Sequence, residues 1–221
     1  MAETARKAPV NKYQVTMRKL LDPADNTTGG GSAAALAGAM AAALVAMVCR
    51  LSADTAMAED MPDHAALGKT AESLSRDLLL GATQDGQAFE SVRQALRLPR
   101  ATEREQEARR AAVRQAWQHA TEVPLANADG CRQVLACGTR LRGRSNPQTA
   151  SDLSCALLLA RAGLLGCLAN VAINLPHVKD AACAADLSAR ARMLQAWTQA
   201  LPQDDSETCP LSPADARGGR Q

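Results

Sequence analysis

A chain of 221 residues suits one domain and is long enough to bury a substantial core. Alanine accounts for 47 residues and aromatic residues for only four. This excess of helix formers over strand formers predicts an all-α protein and argues against a β-sandwich or barrel. The formal net charge is only +2 and no concentrated basic patch is visible, so nucleic acid is not expected as a partner.

Prolines and glycines divide the chain into a single bundle of five or six helices. Because alanine side chains fill little space, an alanine-rich core requires closely packed helices. Pro124 lies inside one predicted helix and should kink or break it. The domain is expected to span 12–202, between polar tails 1–11 and 203–221 that are expected to be mobile. The predicted helices cover 12–21, 32–54, 63–97, 101–142, 149–175 and 178–200.

The sequence favours a cytoplasmic protein without a membrane partner. Residues 1–12 carry charges and lack the apolar stretch of a signal peptide. The uncharged run 33–49 is at the short limit for a membrane span and contains Gly38 among alanines, which favours a buried helix. The seven cysteines are odd in number and form no Cys-x-x-Cys pair, which indicates reduced thiols. No metal-ligand spacing occurs, so no metal site is predicted.

The predicted helix 63–97 carries a continuous apolar stripe with a carboxylate at its middle. An unpaired ionised Asp in an apolar core is costly, so Asp85 must be paired, hydrated or lining a pocket. The alternatives are a local bend that turns it outward or an internal salt bridge. The stripe consists of Leu67, Ala71, Leu74, Leu78, Ala82, Asp85, Phe89, Val92 and Leu96.

The predicted helix 149–175 combines a core face with a neighbouring strip of small and polar residues. Glycine lowers helix propensity, so the close approach of another helix or of a flat ligand must compensate. Ser151 and Asp152 fall in the first turn, where side-chain oxygens can cap free N–H groups. The strip consists of Gly163, Gly166, Asn170 and Asn174.

Three consecutive glycines end at Ser32, just before the long apolar helix. Such a loop lets backbone N–H groups converge at the positively polarised start of a helix, although a flexible turn is an equal alternative. The segment is neither a dinucleotide-binding fingerprint nor a Walker loop. Beyond it, a small residue at every fourth position favours tight helix pairing, within the fold or across a dimer.

Four segments carry longer motifs in a fixed order. They are GGGSAAALAGAMAAALVAMVCRLS (29–52), DGQAFESVRQALRLP (85–99), ATEVPLANA (120–128) and SNPQTASDLSCALLLARAGLLGCLANVAINL (145–175). Together they resemble the formiminotetrahydrofolate cyclodeaminase and methenyltetrahydrofolate cyclohydrolase family. The similarity covers about 20–200, nearly the whole chain.

The resemblance implies an all-α fold, a homodimer and a tetrahydrofolate derivative as substrate, with no permanently bound cofactor. It also assigns the unusual features of the sequence to one site. Asp85 and Asp152 are the implied catalytic residues. The implied substrate-binding residues are Gly29, Gly30, Gly31, Ser32, Asn146, Ser151, Asn170 and Asn174.

Some positions depart from the family pattern. Ser145 stands where Gly is usual, and Gln148 where Asn is usual. After Ser52 the family often has a basic residue, whereas this chain continues with 53–55, Ala-Asp-Thr. A contact to the glutamate tail of the folate is therefore in doubt. Four arginines are interpreted as solvated helix-end charges, with attraction of that tail as the alternative: Arg97, Arg100, Arg142 and Arg144.

Both reactions of the family occur at the carbon that bridges N5 and N10 of tetrahydrofolate. A carboxylate suits them because it stabilises the cationic amidinium and accepts a proton from the attacking water or N10. We assign this role to Asp85, with Asp152 as the second candidate. Asn170 and Asn174 would bond the pterin edge or the attacking water, and residues 29–32 would present N–H donors. His119 and His177 are poor candidates, on a polar face and in a turn.

Three functions stay open at this level. Cyclohydrolase is favoured because the sequence carries no attached formiminotransferase domain to supply a formimino substrate. The alternatives are a cyclodeaminase that releases ammonia and a non-catalytic folate-binding or assembly module. The alanine-rich wall behind the glycine loop leaves room for a flat ring, which Asp and Asn would hold without aromatic stacking.

Overall fold

The computed structural model describes residues 12–53 and 63–200 of the chain. In these ranges it contains six α-helices and no strand, which confirms the all-α prediction. The predicted tails 1–11 and 203–221 lie outside the described residues, as do positions 54 and 55. The helices are α1 (Lys12–Leu20), α2 (Gly30–Ser52), α3 (His64–Arg97), α4 (Glu103–Thr139), α5 (Ala150–Asn174) and α6 (Ala181–Ala200).

The predicted helix bounds agree with the structure to within three residues at every end. The helix predicted to start at 32 begins at Gly30, so two of the three glycines are helical. The helix predicted to begin at 101 starts after Thr102, whose hydroxyl accepts from the Glu105 N–H while the Glu105 carboxylate accepts from the Thr102 N–H. This reciprocal capping fixes the start of α4.

α2 lies in the middle of the bundle, between α3 and α5, and α4 packs across α3 and α5. The buried face of α2 is built largely from alanine, including Ala35, Ala41 and Ala42, which are fully buried. A Cβ atom on Gly163 of α5 would lie 2.8 Å from the Ala34 carbonyl oxygen of α2. The small residues are therefore required by a close helix–helix approach, as the composition predicts.

Pro124 does not break α4, which runs as one helix from Glu103 to Thr139. Of the two predicted effects, a kink or a break, the break is therefore wrong. Pro124 is fully buried and lacks the N–H that would bond the carbonyl of Ala120, four residues earlier. That carbonyl accepts a hydrogen bond from Asn174 Nδ2 of α5 at 2.6 Å. The helix tolerates the proline because a side chain from another helix replaces the missing donor.

Six cysteines lie in the described residues, and all six are free thiols. Cys49, Cys131, Cys137 and Cys167 are buried in the core. Burial raises the pKa of Cys49 to about 11, so this thiol stays protonated and packs as a small apolar side chain.

Two stretches, Gly30–Ser52 and Pro147–His177, are long and apolar enough to cross a membrane by length and composition alone. Core helices of soluble proteins meet the same criterion. α2 is the more deeply buried of the two, because it packs between α3 and α5. α5 leaves more of its apolar surface uncovered, a feature that becomes relevant to assembly below.

Candidate active site

Asp85 lies on the buried face of α3 and is only 8% exposed. Its two oxygens have partners from two other helices. Ser32 Oγ of α2 donates to Asp85 Oδ2 at 2.8 Å, and Asn170 Nδ2 of α5 donates to Asp85 Oδ1 at 3.1 Å. The sequence-based interpretation that Asp85 is paired and lines a pocket is therefore confirmed, and its partners are neutral donors.

The start of α2 forms the wall next to this carboxylate. Gly29 precedes the helix in an extended conformation, and Gly30 and Gly31 form the first turn. The backbone N–H of Ser32 also lowers the pKa of Asp85, whose carboxylate lies at the positive end of the helix dipole. A Cβ atom on Gly31 would overlap the Asn170 amide and the Asp85 carboxylate. Space, and not an unusual backbone conformation, is what requires glycine here.

Burial raises the pKa of the Asp85 carboxyl above its ordinary value. The hydrogen bonds from the Ser32 hydroxyl, the Ser32 N–H and the Asn170 amide favour the ionised form and oppose this rise in part. A carboxyl with a raised pKa and fixed donors is suited to proton transfer near neutral pH.

Asp85 opens onto a pocket of about 270 Å³. Its lining combines the start of α2, the carboxylate, two asparagines and a few apolar side chains. Phe89 is 41% exposed and lines the pocket, so an aromatic ring is available to a flat ligand. The lining residues are Asn26, Thr27, Gly29, Gly30, Gly31, Asp85, Phe89, Ala120, Asn170, Ile173 and Asn174.

Asn174 has a structural task at the edge of this pocket. Its amide nitrogen donates a hydrogen bond to the Ala120 carbonyl, which has no donor within α4 because Pro124 lacks an N–H. Asn174 therefore fixes the position of α5 against α4 where both line the pocket. Its predicted contact with substrate stays a prediction, which the amide oxygen or the second amide N–H would make.

Comparisons with known proteins agree with this architecture. The sequence model of the formiminotransferase-cyclodeaminase family matches residues 15–193. The chain belongs to the formiminotransferase-cyclodeaminase family. It is 37% identical over 183 residues to a methenyltetrahydrofolate cyclohydrolase of Methylorubrum extorquens, covering 82% of this chain and 88% of that protein.

Two further relatives carry the cyclodeaminase name. The chain is 32% identical to the formimidoyltransferase-cyclodeaminase of Sus scrofa, over 78% of this chain but only 32% of that longer protein. The solved structure of a formiminotetrahydrofolate cyclodeaminase from Thermotoga maritima superposes with a TM-score of 0.69 at 25% identity. The match covers 84% of this chain and 87% of that one.

The structure brings together most, but not all, of the residues that the family resemblance assigns to the site. Ser32, Asp85 and Asn170 are in direct contact, and the three glycines and Asn174 line the same pocket. Ser151 and Asp152 lie in the first turn of α5, whereas Asn170 lies near its end. Eighteen residues of helix separate Asp152 from Asn170, which is about 27 Å.

Asn146 also lies at that far end, where it organises a loop. Its side-chain oxygen accepts from the Gln148 N–H at 3.0 Å, and its amide nitrogen donates to the Leu51 carbonyl at 3.2 Å. Its backbone N–H donates to the buried Ser52 hydroxyl at 2.8 Å. Within one chain, Asn146 ties the end of α2 to the start of α5 and does not reach Asp85.

The glycine strip of α5 is explained by packing. Cβ atoms on Gly163 and Gly166 would meet backbone or side-chain atoms of Ala34 on α2. Of the two explanations offered by the sequence, the close approach of a second helix is therefore confirmed. Only Asn170 and Asn174, at the end of the strip, face the pocket.

Sequence reasoning missed the loop that covers the pocket. Asn26 and Thr27 line it, and Asp25 holds them in place by accepting from the Thr27 N–H at 2.7 Å and hydroxyl at 2.6 Å. The Asp-x-Thr spacing is typical of a side-chain-to-backbone turn and was a usable signal. Ile173 was missed because an apolar side chain in an apolar helix carries no distinguishing pattern.

The described residues contain no group of three or more His, Cys, Asp or Glu side chains placed to hold a metal ion. His119 lies on α4 outside the Asp85 pocket, and the His177 ring stacks on Trp117 with centroids 4.1 Å apart.

Of the four arginines considered for the glutamate tail, Arg97 is twelve residues beyond Asp85, or roughly 18 Å along α3.

Proposed function

We propose that this protein is a methenyltetrahydrofolate cyclohydrolase, which converts 5,10-methenyltetrahydrofolate to 10-formyltetrahydrofolate. The observation that carries the proposal is the Asp85 carboxyl, buried between Ser32 and Asn170 at the floor of a pocket. The relative of that name supports it, because the similarity extends over 88% of that protein.

The substrate carries a positive charge delocalised over N5, the bridging carbon and N10. An ionised Asp85 stabilises this cation and accepts a proton from the water that attacks the carbon. The new C–O bond gives a tetrahedral adduct, which opens by breaking the bond from carbon to N5. The proton held by Asp85 is delivered to N5, and the proton of the new hydroxyl group leaves to solvent as the C=O bond forms. The carboxylate is thus regenerated and the formyl group stays on N10.

The neighbouring groups hold Asp85 ready for both steps. Ser32 and Asn170 orient its two oxygens and limit the rise of its pKa, so the carboxylate is available as a base. Phe89 offers a face for the pterin ring, and the first turn of α2 offers N–H groups. The small pocket fits the reacting end of the folate, with the glutamate tail outside it.

A second candidate function uses the same carboxyl. In a formiminotetrahydrofolate cyclodeaminase, N10 attacks the formimino carbon on N5, Asp85 takes the N10 proton, and the leaving nitrogen receives a proton to depart as ammonia. The Sus scrofa and Thermotoga maritima relatives support this alternative.

We further propose that the protein works as a homodimer in the cytoplasm and needs no resident cofactor. The folate itself supplies the one-carbon unit, and water or N10 is the only other reactant. Exposed apolar side chains on α2 and α5, among them Met40, Leu158 and Leu165, support association with a second copy.

The test is a turnover assay with both folates. Purified protein should remove the absorbance of methenyltetrahydrofolate faster than buffer does, and ammonia release from 5-formiminotetrahydrofolate separates the two activities. Asp85→Asn should lower the rate by about 10²- to 10⁴-fold, the usual contribution of an acid–base group. Asp77→Asn, at an exposed position of α3, is the matched control and should retain full activity.

The possible outcomes separate the candidates. An unchanged rate in Asp85→Asn removes this residue from the mechanism. Tetrahydrofolate binding without turnover of either substrate by the unmodified protein supports the non-catalytic module instead.

A further inference from the structure

A second cavity adjoins the Asp85 pocket. It has a volume of about 490 Å³ and lies between α1, the loop residues 27–28 and α3. Thr27 lines both cavities, and neighbouring residues of α3 contribute to each, Asp85 to the first and Gly86 to the second. The two cavities therefore meet at this loop, and a ligand that extends out of the first has the second beside it. We name the second one the Lys19 cavity, after the lysine in its lining.

The lining of the Lys19 cavity is rich in hydrogen-bond donors. The hydroxyls of Thr16 on α1 and Thr83 on α3 are 3.3 Å apart, so the two helices present them together. Among the described residues, Glu90 is the one carboxylate in this lining. Donors with an ammonium group among them suit a ligand group that carries acceptor oxygens and a negative charge. The donors are Thr16, Lys19, Thr27, Thr28, Thr83 and Gln87.

The surroundings of Lys19 leave its charge able to bind an anion. Among the described residues, its ammonium makes one hydrogen bond, to Thr27 Oγ1 at 3.4 Å, and an ammonium has three N–H groups. Glu90 is paired with Arg93 at 3.6 Å. The carboxylate of Asp25 accepts from the N–H and the hydroxyl of Thr27. Each nearby carboxylate therefore has a partner of its own.

The Lys19 cavity lies within reach of a substrate held at Asp85. The pocket of about 270 Å³ at Asp85 fits the reacting end of a folate and leaves the tail outside. Asp85 and Glu90 are five residues apart on α3, about 7.5 Å along the axis, which the p-aminobenzoyl unit of a folate can bridge. Between them, Gly86 has no side chain to block the way.

The arginines considered above for the glutamate tail do not compete with Lys19 for this place. In the described part of the chain, neither cavity is lined by any of them. They are Arg97, Arg100, Arg142 and Arg144.

We propose that the Lys19 cavity is the subsite for the glutamate tail of the folate, with the Lys19 ammonium bound to a tail carboxylate. The hydroxyls of Thr16 and Thr83 and the amide of Gln87 are the neutral donors to the same group. This inference rests on the proposed folate function and identifies a specificity-determining residue for it. It predicts that the protein distinguishes a glutamate-bearing folate from the same ring system without the glutamate.

The contact is remote from the reacting carbon, so it should act on KM and not on kcat. The matched substrates are 5,10-methenyltetrahydrofolate and 5,10-methenyltetrahydropteroate, which lacks the glutamate and has the same reacting group. The unmodified protein should have a KM about three- to tenfold lower for the folate, the size expected of a partly exposed ion pair with added hydrogen bonds.

Substitution of Lys19 should remove this preference. Lys19→Met should raise KM for the folate to about the value for the pteroate and leave the pteroate kinetics unchanged. Lys19→Arg keeps the charge and should keep most of the preference. The matched control is Lys69→Met, at an exposed position sixteen residues before Asp85 and roughly 24 Å away along α3, which should leave both substrates unaffected.

The charge of Glu90 provides a test in the opposite direction. Glu90→Gln removes a negative charge from the same cavity and should lower KM for the folate by about twofold, with no change for the pteroate. A higher KM for the folate in this variant contradicts a tail carboxylate at Lys19.

The remaining outcomes separate this subsite from the proposed function. An equal loss with both substrates in Lys19→Met means that the lysine acts through Thr27 on the pocket, and it overturns the subsite. An unmodified protein without preference for the folate overturns it as well. If the unmodified protein turns over neither substrate, the proposed function fails. Equilibrium binding of tetrahydrofolate and tetrahydropteroate to the same proteins then decides the subsite by the same comparison, and binding of neither overturns it.

Discussion

At the residue scale, the site depends on one buried carboxyl whose ionisation is set by its neighbours. Burial raises the pKa of Asp85, and donors from Ser32 and Asn170 lower it again in part. A base must be ionised to act, so the rate should fall on the acid side as Asp85 becomes protonated.

Removal of one donor should move this acid limb. In Ser32→Ala the carboxylate loses the 2.8 Å bond from the hydroxyl, which favours the ionised form, so the pKa of Asp85 rises further. The acid limb of kcat/KM should therefore shift to higher pH. Ser91→Ala, whose hydroxyl bonds the Gln87 carbonyl on the same helix, should leave the profile in place. A shift to lower pH contradicts the assignment.

The burial of Asp85 also predicts that the inactive variant Asp85→Asn is more stable than the unmodified protein. Because the pKa of Asp85 is higher in the folded chain than its ordinary value of 3.8, ionisation of this group costs stability increasingly as the pH rises above 3.8, and the cost is complete above the folded pKa. Asp85→Asn removes this charge and should raise Tm at neutral pH. The difference should shrink as the pH falls toward 3.8. A lower Tm at neutral pH contradicts this account.

At the element scale, α4 and α5 are joined by a hydrogen bond that compensates for a proline. Asn174 donates to the Ala120 carbonyl at 2.6 Å, in place of the N–H that Pro124 lacks. The register of the two helices at the pocket therefore depends on one pair of groups.

The energetic coupling between Asn174 and Pro124 can be measured by a double-mutant cycle. Asn174→Ala leaves a buried carbonyl without a donor and should lower the free energy of unfolding by about 1–3 kcal/mol. In a Pro124→Ala background the new N–H can bond Ala120, so the same substitution should cost clearly less. Denaturant unfolding of the four proteins gives the coupling. Equal costs in both backgrounds mean that the compensation does not operate.

Two neighbouring glycines in the first turn of α2, Gly30 and Gly31, should respond differently to substitution by alanine. A Cβ on Gly31 would overlap Asp85 and Asn170, whereas one on Gly30 would meet nothing within 4 Å. Gly31→Ala should destabilise the protein by about 1–3 kcal/mol through overpacking. Gly30→Ala should be neutral or stabilising by up to about 1 kcal/mol, because alanine is the better helix former. Thermal unfolding distinguishes them, and equal shifts contradict the packing argument.

At the scale of the whole molecule, periodicity predicted which faces are buried but not which faces meet. The stripe of α3 located Asp85 as an anomaly, and the four motif segments identified the family. The contact of Ser32 with Asp85 joins positions 53 residues apart and could not be derived from spacing within a helix.

The incorrect predictions have physical reasons. Glycine has a low intrinsic helix propensity, so the start of α2 was placed at Ser32, although Gly31 is required there by the atoms opposite it. A kink or break at Pro124 was predicted, and the break does not occur, because the compensating donor, Asn174, lies 50 residues farther along the chain. The position of Phe89 in the pocket lining was not anticipated, because the low aromatic content was interpreted as a site without aromatic stacking, which stays a prediction.

The three groups of the polar cluster come from three different helices, Ser32 from α2, Asp85 from α3 and Asn170 from α5. No single helix, and no hairpin of two, contains the complete arrangement. A loosened state that keeps all of its helices but relaxes their packing has the same residues and no active site. Catalysis in this protein is therefore a property of tertiary order, and it is the first property that expansion of the bundle removes.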